Sequence, residues 1–336
     1  MHGKNVLLRT NMKRTLLFGI MLFATLFKAN AQKVDYSIVS VQEETGTDFM
    51  QVTGANDYVC MPIVSRKGAN LNWLSNRIID ISTDGKNIAY VSNRNGVTNI
   101  FVKELGKQGG AIQRTNRQAV IDFSYSPDGK YIAFSENRGN SNQIFVTDAV
   151  NGYVCRQITS GNSDYSPIYS PDMSKILFAR LENNGVSIWA YDVKSSFLSS
   201  YTSGMNPDPF KTAGVYLCSR QNSNGRGEIW KIDVNTGVEE CIVSDPNSSF
   251  STPQLSPDGQ WIVFVGESRI ITPDFTYKNT DLYACRIDGT NLVQLTYHAA
   301  DDLSPVWSHC GKYIYFISQR GSADAVANIW RMPFAY

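Results

Sequence analysis

The sequence predicts an all-β protein, a six-bladed β-propeller whose ring is closed by an N-terminal strand that completes the last blade. Three observations lead to this prediction. A turn motif recurs about every 40 to 50 residues, a spacing typical of propellers. An aliphatic–aromatic pair follows each copy, and the chain ends before the last unit could form a fourth strand. Tyr (17), Phe (16) and Trp (6) residues also favour strands over helices.

The turn motif is clearest at Ser126–Phe134, which reads SPDGKYIAF. Proline suits the second position of a β-turn, aspartate accepts backbone N–H groups and glycine tolerates positive φ. The motif therefore predicts a hairpin turn inside each unit. Its six copies start at Ser82, Ser126, Ser170, Asn206, Ser256 and Ser308. The aliphatic–aromatic pairs are Ile100–Phe101, Ile144–Phe145, Ile188–Trp189, Ile229–Trp230, Leu282–Tyr283 and Ile329–Trp330.

Each unit is predicted to contain four short strands. In the second unit these are VIDFSYS, YIAFSE, QIFVTDA and VCRQIT, which alternate apolar and polar residues and are separated by turn residues. After Met332 only four residues remain, so the sixth unit lacks its fourth strand. Two N-terminal segments, 35–41 and 58–65, could pair with the last blade and remove its open edge. We favour 58–65.

Residues 1–31 are predicted to be a signal peptide, and residues 32–336 a single propeller domain. Lys13 and Arg14 precede an apolar run of 13 residues, and Ala29–Ala31 provides a cleavage site after Ala31. The run is shorter than the roughly 20 residues that span a bilayer. We therefore expect a periplasmic or secreted protein, with no stable membrane insertion after cleavage.

The expected mature chain has 26 basic and 30 acidic residues, a net charge of −4. A nucleic-acid partner is not expected, because the basic footprint of such proteins is missing. The six cysteines show no CxxC spacing, and either disulfides or buried thiols fit them. Only His298 and His309 remain in the mature chain, which excludes a histidine-rich metal site. We predict no metal and no cofactor, and a monomer.

The repeated SPDG turn, followed by an isoleucine–aromatic pair, resembles the propeller repeat of the TolB family of periplasmic proteins. The same repeat occurs in prolyl-oligopeptidase propellers. The resemblance covers roughly residues 70 to 336 and implies a six-bladed propeller. TolB proteins also carry an α/β domain ahead of the propeller. We expect that domain to be absent, because only a short mature segment precedes the first unit.

The meander of each blade divides the loops between two faces. The turn face carries the SPDG turns and the third-to-fourth turns, such as 288–291. The loop face carries the second-to-third loops and the crossovers between blades, which vary in length and are therefore the better candidates for binding. The longest loop there is 266–280. Its apolar residues Ile270, Ile271, Phe275 and Tyr277 indicate a partner contact, or they fold back onto a neighbouring blade.

Two further groups of polar residues are candidates on the loop face. His298, Asp301 and Asp302 form a local cluster that is a candidate binding site. The alternative interpretation is that His298 is an ordinary exposed histidine in a loop. An arginine also recurs near the end of each second strand. It fits either a cationic ring for an anionic ligand or carboxylate-rich partner, or a structural role in which each arginine pairs with the aspartate or backbone carbonyls of an adjacent blade. These arginines are Arg94, Arg138, Arg180, Arg220, Arg269 and Arg320.

Polar residues that open the first strands are expected to line the central channel. They could hold a cation or a sugar, or simply be solvated. They are Asp122, Asp164, Ser166, Thr252 and Ser304, together with Asp301 and Asp302.

The sequence has no GxSxG nucleophile elbow and no phosphate-binding glycine loop. We predict a non-enzymatic scaffold that binds an envelope protein or peptide through Ile270, Ile271, Phe275, Tyr277, His298, Asp301, Asp302 and Arg320. Two alternatives stay open. One is a propeller that binds a glycan or small ligand, and the other is a carbohydrate-active enzyme that uses channel carboxylates.

Overall fold

The structure, a computed structural model, describes residues 48–62, 77–107, 109–271, 276–298, 300–321 and 326–335, without the side chains of 268–278. Within these ranges 24 strands form six four-stranded sheets. No helix in this part of the chain is long and apolar enough to cross a membrane. The chain divides into two compact units, Met1–Val39 with Ile270–Thr276 and Ser40–Arg269 with Tyr277–Tyr336. Nearly all of the first unit lies outside the described residues.

Strand β1 is Met50–Gln51. Blade 1 consists of β2 Ile79–Ile81, β3 Asn87–Ser92, β4 Asn99–Glu104 and β5 Ile112–Gln113. Blade 2 consists of β6 Val120–Tyr125, β7 Tyr131–Asn137, β8 Asn142–Asp148 and β9 Val154–Gln157. Blade 3 consists of β10 Ser163–Tyr169, β11 Lys175–Glu182, β12 Gly185–Asp192 and β13 Leu198–Ser203.

Blade 4 consists of β14 Met205–Pro209, β15 Val215–Gln221, β16 Gly227–Asp233 and β17 Val238–Val243. Blade 5 consists of β18 Ser249–Leu255, β19 Trp261–Ile271, β20 Thr276–Arg286 and β21 Val293–Gln294. Blade 6 consists of β22 Asp302–Trp307, β23 Tyr313–Ser318, β24 Asn328–Pro333 and β1.

The first strands of the blades surround the central axis. Each contacts the first strand of the next blade, in the order β2, β6, β10, β14, β18 and β22, and β22 contacts β2. The predicted six-bladed propeller is therefore confirmed. Its core lies between the blades, where the aliphatic member of each aliphatic–aromatic pair is fully buried. These buried residues are Ile100, Ile144, Ile188, Ile229, Leu282 and Ile329.

The SPDG turns owe their shape to a serine and an aspartate. In the second copy the Ser126 hydroxyl donates to Asp128 Oδ1 (2.6 Å) and accepts the Tyr131 N–H (2.9 Å). Asp128 Oδ1 also accepts the Lys130 N–H, at 3.1 Å. Gly129 has φ of 71°, which glycine adopts without strain. This network repeats in the turns that begin at Ser82, Ser170 and Ser256.

The predicted start of the fourth turn motif, Asn206, is four residues too early. The hairpin of blade 4 is closed by Phe210, whose N–H donates to Val215 O (2.9 Å), so Phe210 stands where Ser126 stands in blade 2. Asn206–Pro207 instead forms a bulge inside β14, where the pairing register with β15 shifts. The same residue–proline bulge occurs in β10, β18 and β22. Their pre-proline residues, Ser166, Asn206, Thr252 and Ser304, all have φ of 51–54°.

An N-terminal strand closes the ring, as predicted, and it lies at Met50–Gln51 rather than in the favoured segment 58–65. β1 pairs with β24, Met50 opposite Arg331 and Gln51 opposite Trp330. Residues 58–62 contribute only a bridge between Val59 and Ser92 of blade 1, and residues 35–41 and 63–65 lie outside the described residues. Thr53 Oγ1 accepts the Ile329 N–H (2.8 Å), a bond that holds the end of the closing strand against β24.

A Gln-x-Thr motif identifies this closing strand. Each threonine hydroxyl accepts the N–H of the aliphatic residue in the third strand, and each glutamine amide donates to its threonine carbonyl. The motif stands at 113–115, 157–159 and 294–296, at the outer strands of blades 1, 2 and 5, and again at 51–53. The sequence therefore contained the signal for the closing strand.

Candidate functional site

Arg77 crosses the central channel. It precedes β2 of blade 1, and its Nη2 lies 2.6 Å from Asp208 Oδ1 in blade 4, which stands opposite in the ring. Both side chains are largely buried. The channel cavity beside this ion pair has a volume of about 10 Å³ and is lined by Arg77 and the residue–proline bulges of β10, β14 and β18. That volume is about the size of one water. Sequence reasoning missed Arg77, because nothing local distinguishes it from a surface arginine.

Three aspartates of the first strands join neighbouring blades. One carboxylate oxygen of each accepts a backbone N–H from the first strand of the next blade in the chain. Asp80 accepts from Tyr125 (2.8 Å), Asp122 from Ser166 (3.0 Å) and Asp208 from Leu255 (2.8 Å). Burial raises the pKa of all three carboxyl groups, that of Asp122 to about 6, although the charge of Arg77 opposes the rise. These carboxylates hold the inner ring together.

The predicted channel residues divide into two kinds. Asp122 and Asp164 are fully buried, and Asp164 forms two hydrogen bonds with Arg180, at 2.7 and 3.0 Å. Ser166, Thr252 and Ser304 are the residues that precede proline in the bulges of their strands, and each has a positive φ. Within the described residues no three His, Cys, Asp or Glu side chains are arranged to hold a metal ion.

The recurring arginines pair with an acidic residue and lie over an aromatic ring. The ion pairs are Arg94–Asp57, Arg138–Glu136, Arg180–Asp164, Arg220–Glu239 and Arg320–Asp302, at 3.2, 3.1, 2.7, 2.7 and 2.5 Å. The rings are Phe101, Phe145, Trp189, Trp230 and Trp330, with centroids 4.5, 5.2, 4.4, 4.9 and 6.0 Å from the guanidinium carbons.

This arrangement links two features that the sequence presented as separate. Each of these rings is the aromatic member of the aliphatic–aromatic pair of the same blade, although Arg320 lies closer to Phe49, at 4.2 Å, than to Trp330. The acid lies in the same blade or, for Arg94, in the N-terminal segment. Arg220 also bonds the adjacent blade, as the structural alternative expected, because its Nε donates to the backbone carbonyl of Ser203 at 2.8 Å. The side chain of Arg269 lies outside the described residues.

Each residue of the predicted cluster His298, Asp301 and Asp302 has hydrogen-bond partners. His298 Nδ1 accepts the Ala300 N–H at 2.9 Å. Asp301 accepts the Thr280 hydroxyl (2.7 Å) and N–H (3.0 Å). Asp302 is fully buried and pairs with Arg320, which is itself 4% exposed. Arg320 and Asp302 thus stabilise the interior of blade 6.

The predicted surface loop 266–280 is largely a β-hairpin. β19 continues to Ile271 and β20 begins at Thr276, so the backbone on both sides of the tip is extended. The side chains of Ile270, Ile271 and Tyr277 lie outside the described residues, as does all of Phe275.

The turn face holds a groove that the sequence did not predict. It lies between blades 1 and 2, has a volume of about 450 Å³ and includes Asp84, Arg114, Tyr125 and Asp128 in its lining. Exposed apolar side chains also flank the third-to-fourth turns of blades 1 to 5. They are Ile112, Val150, Tyr153, Phe197, Val238 and Leu292. The SPDG turns made this face look purely structural, and only the packing of two blades creates the groove.

Comparison with known proteins agrees with this architecture. Residues 76–213 match the TolB β-propeller domain model. A protein described as TolB from Agrobacterium tumefaciens aligns with a TM-score of 0.57 at 17% identity, over 77% of this chain and 90% of that chain. TolB from Acinetobacter baumannii aligns with a TM-score of 0.57 at 20% identity, over 74% of this chain and 64% of that chain.

An enzyme shares the fold to the same degree. Oligogalacturonate lyase from Vibrio parahaemolyticus aligns with a TM-score of 0.57 at 13% identity, over 88% of this chain and 96% of that chain. Identities this low show the fold and leave the activity open. The repeats and the six-sheet ring show that the chain forms a six-bladed β-propeller, and its residues 76–213 match the TolB β-propeller domain model.

Proposed function

We propose that this propeller is a non-enzymatic scaffold that binds another protein of the cell envelope through its loop face. The observation that carries the proposal is the length of the blade 5 hairpin. Its strands β19 and β20 have 11 residues each, whereas the second and third strands of the other blades have six to eight. Three to five extra residues extend a strand by roughly 10–16 Å.

Within the described residues, the hairpin extends past the last residues that pair with the neighbouring strands β18 and β21. β18 pairs with β19 as far as Glu267, and β21 pairs with β20 at Tyr283 and Ala284. The edges of a two-stranded ribbon are places where another strand can join. Ile270, Ile271, Phe275 and Tyr277 add apolar side chains to the same segment. A partner that adds a strand and covers these side chains suits the hairpin.

The channel carboxylates support a structural role over a catalytic one. A glycosidase needs two carboxyl groups that reach the substrate. Asp122, Asp164 and Asp302 are fully buried and bonded to Ser135, Arg180 and Arg320 respectively. A carbohydrate-active enzyme would instead show turnover that single Asp→Asn substitutions at these positions abolish.

Capture of a partner tests the proposal. The exported protein should retain a specific envelope protein from detergent extract, and a variant with residues 270–280 replaced by a short Gly-Ser turn should lose it. The matched control replaces residues 222–226, the corresponding turn of blade 4, and should keep the partner. The partner is then identified and the interaction rebuilt from purified components. Capture that survives loss of the hairpin would refute the hairpin as the binding element, and the absence of any partner would refute the scaffold.

Export is proposed from the N-terminal pattern of basic residues, apolar run and small residues. N-terminal sequencing of the protein recovered from the periplasm or medium is expected to begin at Gln32. A protein that begins at Met1 or Met12 and stays with the cytoplasmic fraction would contradict export.

A further inference from the structure

The groove between blades 1 and 2 contains an arginine at a position that other blades give to an aliphatic residue. Arg114 is the middle residue of the Gln-x-Thr motif of blade 1. Its N–H donates to Ile100 O at 2.8 Å, and the N–H groups of Val52, Ile158 and Leu295 make the same bond in their own blades. Those three side chains pack against the hydrophobic core. Arg114 alone among these four equivalents is charged.

The guanidinium of Arg114 has unused hydrogen-bonding capacity. Its Nε is buried and has no hydrogen-bond partner within the described part of the chain. The groove that it lines measures about 450 Å³, within the usual size range of small-molecule and peptide sites. Because the Nε atom is closed to solvent, a ligand in the groove would reach the guanidinium through its Nη groups, and the unpaired Nε shows that the blade itself leaves this cation incompletely bonded.

The walls of the groove hold Arg114 in place. Gly152, in the third-to-fourth turn of blade 2, has φ of 75°, and a Cβ there would stand 1.7 Å from the Arg114 carbonyl oxygen. The close approach fixes the Arg114 backbone against blade 2. Tyr125 also lines the groove, and burial raises the pKa of its hydroxyl, which therefore stays a protonated donor at neutral pH.

The rim of the groove differs from its interior in charge. Asp84 and Asp128 stand there, each with Oδ1 bound to its own SPDG turn. The Oδ2 atom of Asp128 lies 3.7 Å from Lys130 Nζ. Apolar surface comes from Val102 and from Val150, which is 74% exposed. The groove thus combines an inner cation, apolar walls and an anionic rim.

We propose that this groove binds the free C-terminus of a peptide that ends in an apolar residue. The terminal carboxylate accepts hydrogen bonds from the Arg114 guanidinium and the Tyr125 hydroxyl, a pairing that suits arginine geometry. The last side chain lies against Val102 and Val150, and a basic side chain farther back lies between Asp84 and Asp128. The site is on the turn face and does not depend on the partner proposed for the blade 5 hairpin.

Calorimetric titration of the exported protein with two matched probes tests the proposal. The probes are acetyl-Lys-Ala-Leu with a free C-terminus and the same peptide as its C-terminal amide. The acid should bind at least about ten-fold more tightly than the amide, because only the acid offers a charged acceptor to Arg114. Acetyl-leucine serves as the small-molecule probe. If it binds as tightly as the acid peptide, the carboxylate site stands and its ligand is a small apolar acid.

The variant Arg114→Gln measures the contribution of the arginine to binding apart from that of the other groove residues. The variant should bind the acid peptide at least about ten-fold more weakly than the wild type does, and it should bind the amide peptide with unchanged affinity. This difference between the two probes would identify Arg114 as the partner of the terminal carboxylate. Arg226→Gln, an equal charge change in the loop 222–226, should change neither affinity. Equal binding of acid and amide to the wild type would overturn the proposal even if Arg114→Gln failed to fold. Absence of binding at about 5 mM probe would overturn it too.

Discussion

Replacing Arg77 by leucine is expected to lower the free energy of unfolding by about 3–5 kcal/mol. The substitution leaves the Asp208 carboxylate buried without its ion-pair partner, which now lies 2.6 Å away. It also removes the cation that offsets the buried charges of Asp80 and Asp122. Urea unfolding followed by tryptophan fluorescence measures the loss.

Two further variants give this prediction its controls. Arg77→Leu combined with Asp208→Asn should recover at least half of the lost stability, because the introduced amide carries no charge and its oxygen could still accept the Leu255 N–H. Lys175→Leu removes a half-exposed ion pair with Asp192 (3.5 Å) and should cost less than about 1 kcal/mol. A loss below about 1 kcal/mol for Arg77→Leu would show that the ion pair across the channel contributes little.

The Asp122→Asn substitution is expected to remove the contribution of Asp122 to the pH dependence of the free energy of unfolding. Burial raises the pKa of Asp122 from 3.8 to about 6, so the folded protein holds this proton more tightly than the unfolded chain does. The stabilisation from this group is complete below pH 3.8 and is lost as the pH rises through 6. The pKa difference corresponds to about 3 kcal/mol.

The stability of Asp122→Asn relative to wild type should therefore rise by about 3 kcal/mol between pH 3.5 and pH 7.5. The asparagine fits the site, because its oxygen can accept the Ser166 N–H while its amide donates to Ser135 Oγ. Urea unfolding at several pH values gives the slope. Asp258→Asn is the control, since a hydrogen bond from Ser256 lowers the pKa of Asp258 and the slope should have the opposite sign. A relative stability that does not change with pH would contradict the prediction.

Local chemistry predicted most of the blade architecture. The Ser-x-Asp-Gly turn depends on bonds that span only a few residues, such as Ser126 to Asp128 and Tyr131. Such bonds are the same in the four turns that begin at Ser82, Ser126, Ser170 and Ser256, so the sequence repeats them and the fold can be read from the repetition. The copy at Asn206 was misplaced because an Asn-Pro-Asp string resembles the turn. The bulge that it forms depends on pairing with β15.

The closing strand was missed for a related reason. A two-residue strand has no alternation to detect, and β1 spans only Met50 and Gln51. The Gln-x-Thr motif at 51–53 was the available signal, and it becomes visible once the outer strands of other blades are compared. The role of Arg114 follows from the same comparison, because its charge is unusual only against Val52, Ile158 and Leu295.

The sequence by itself determined the number of blades, the position of most strands and the resemblance to TolB propellers, because these depend on short-range bonds and alternating hydrophobicity. The tertiary structure decided how the channel is closed, which arginines are buried and where a groove opens. Arg77 and Asp208 are separated by 131 residues, and the groove requires two blades to pack side by side. Contacts between distant segments depend on the curvature of the whole ring, and no local pattern encodes them.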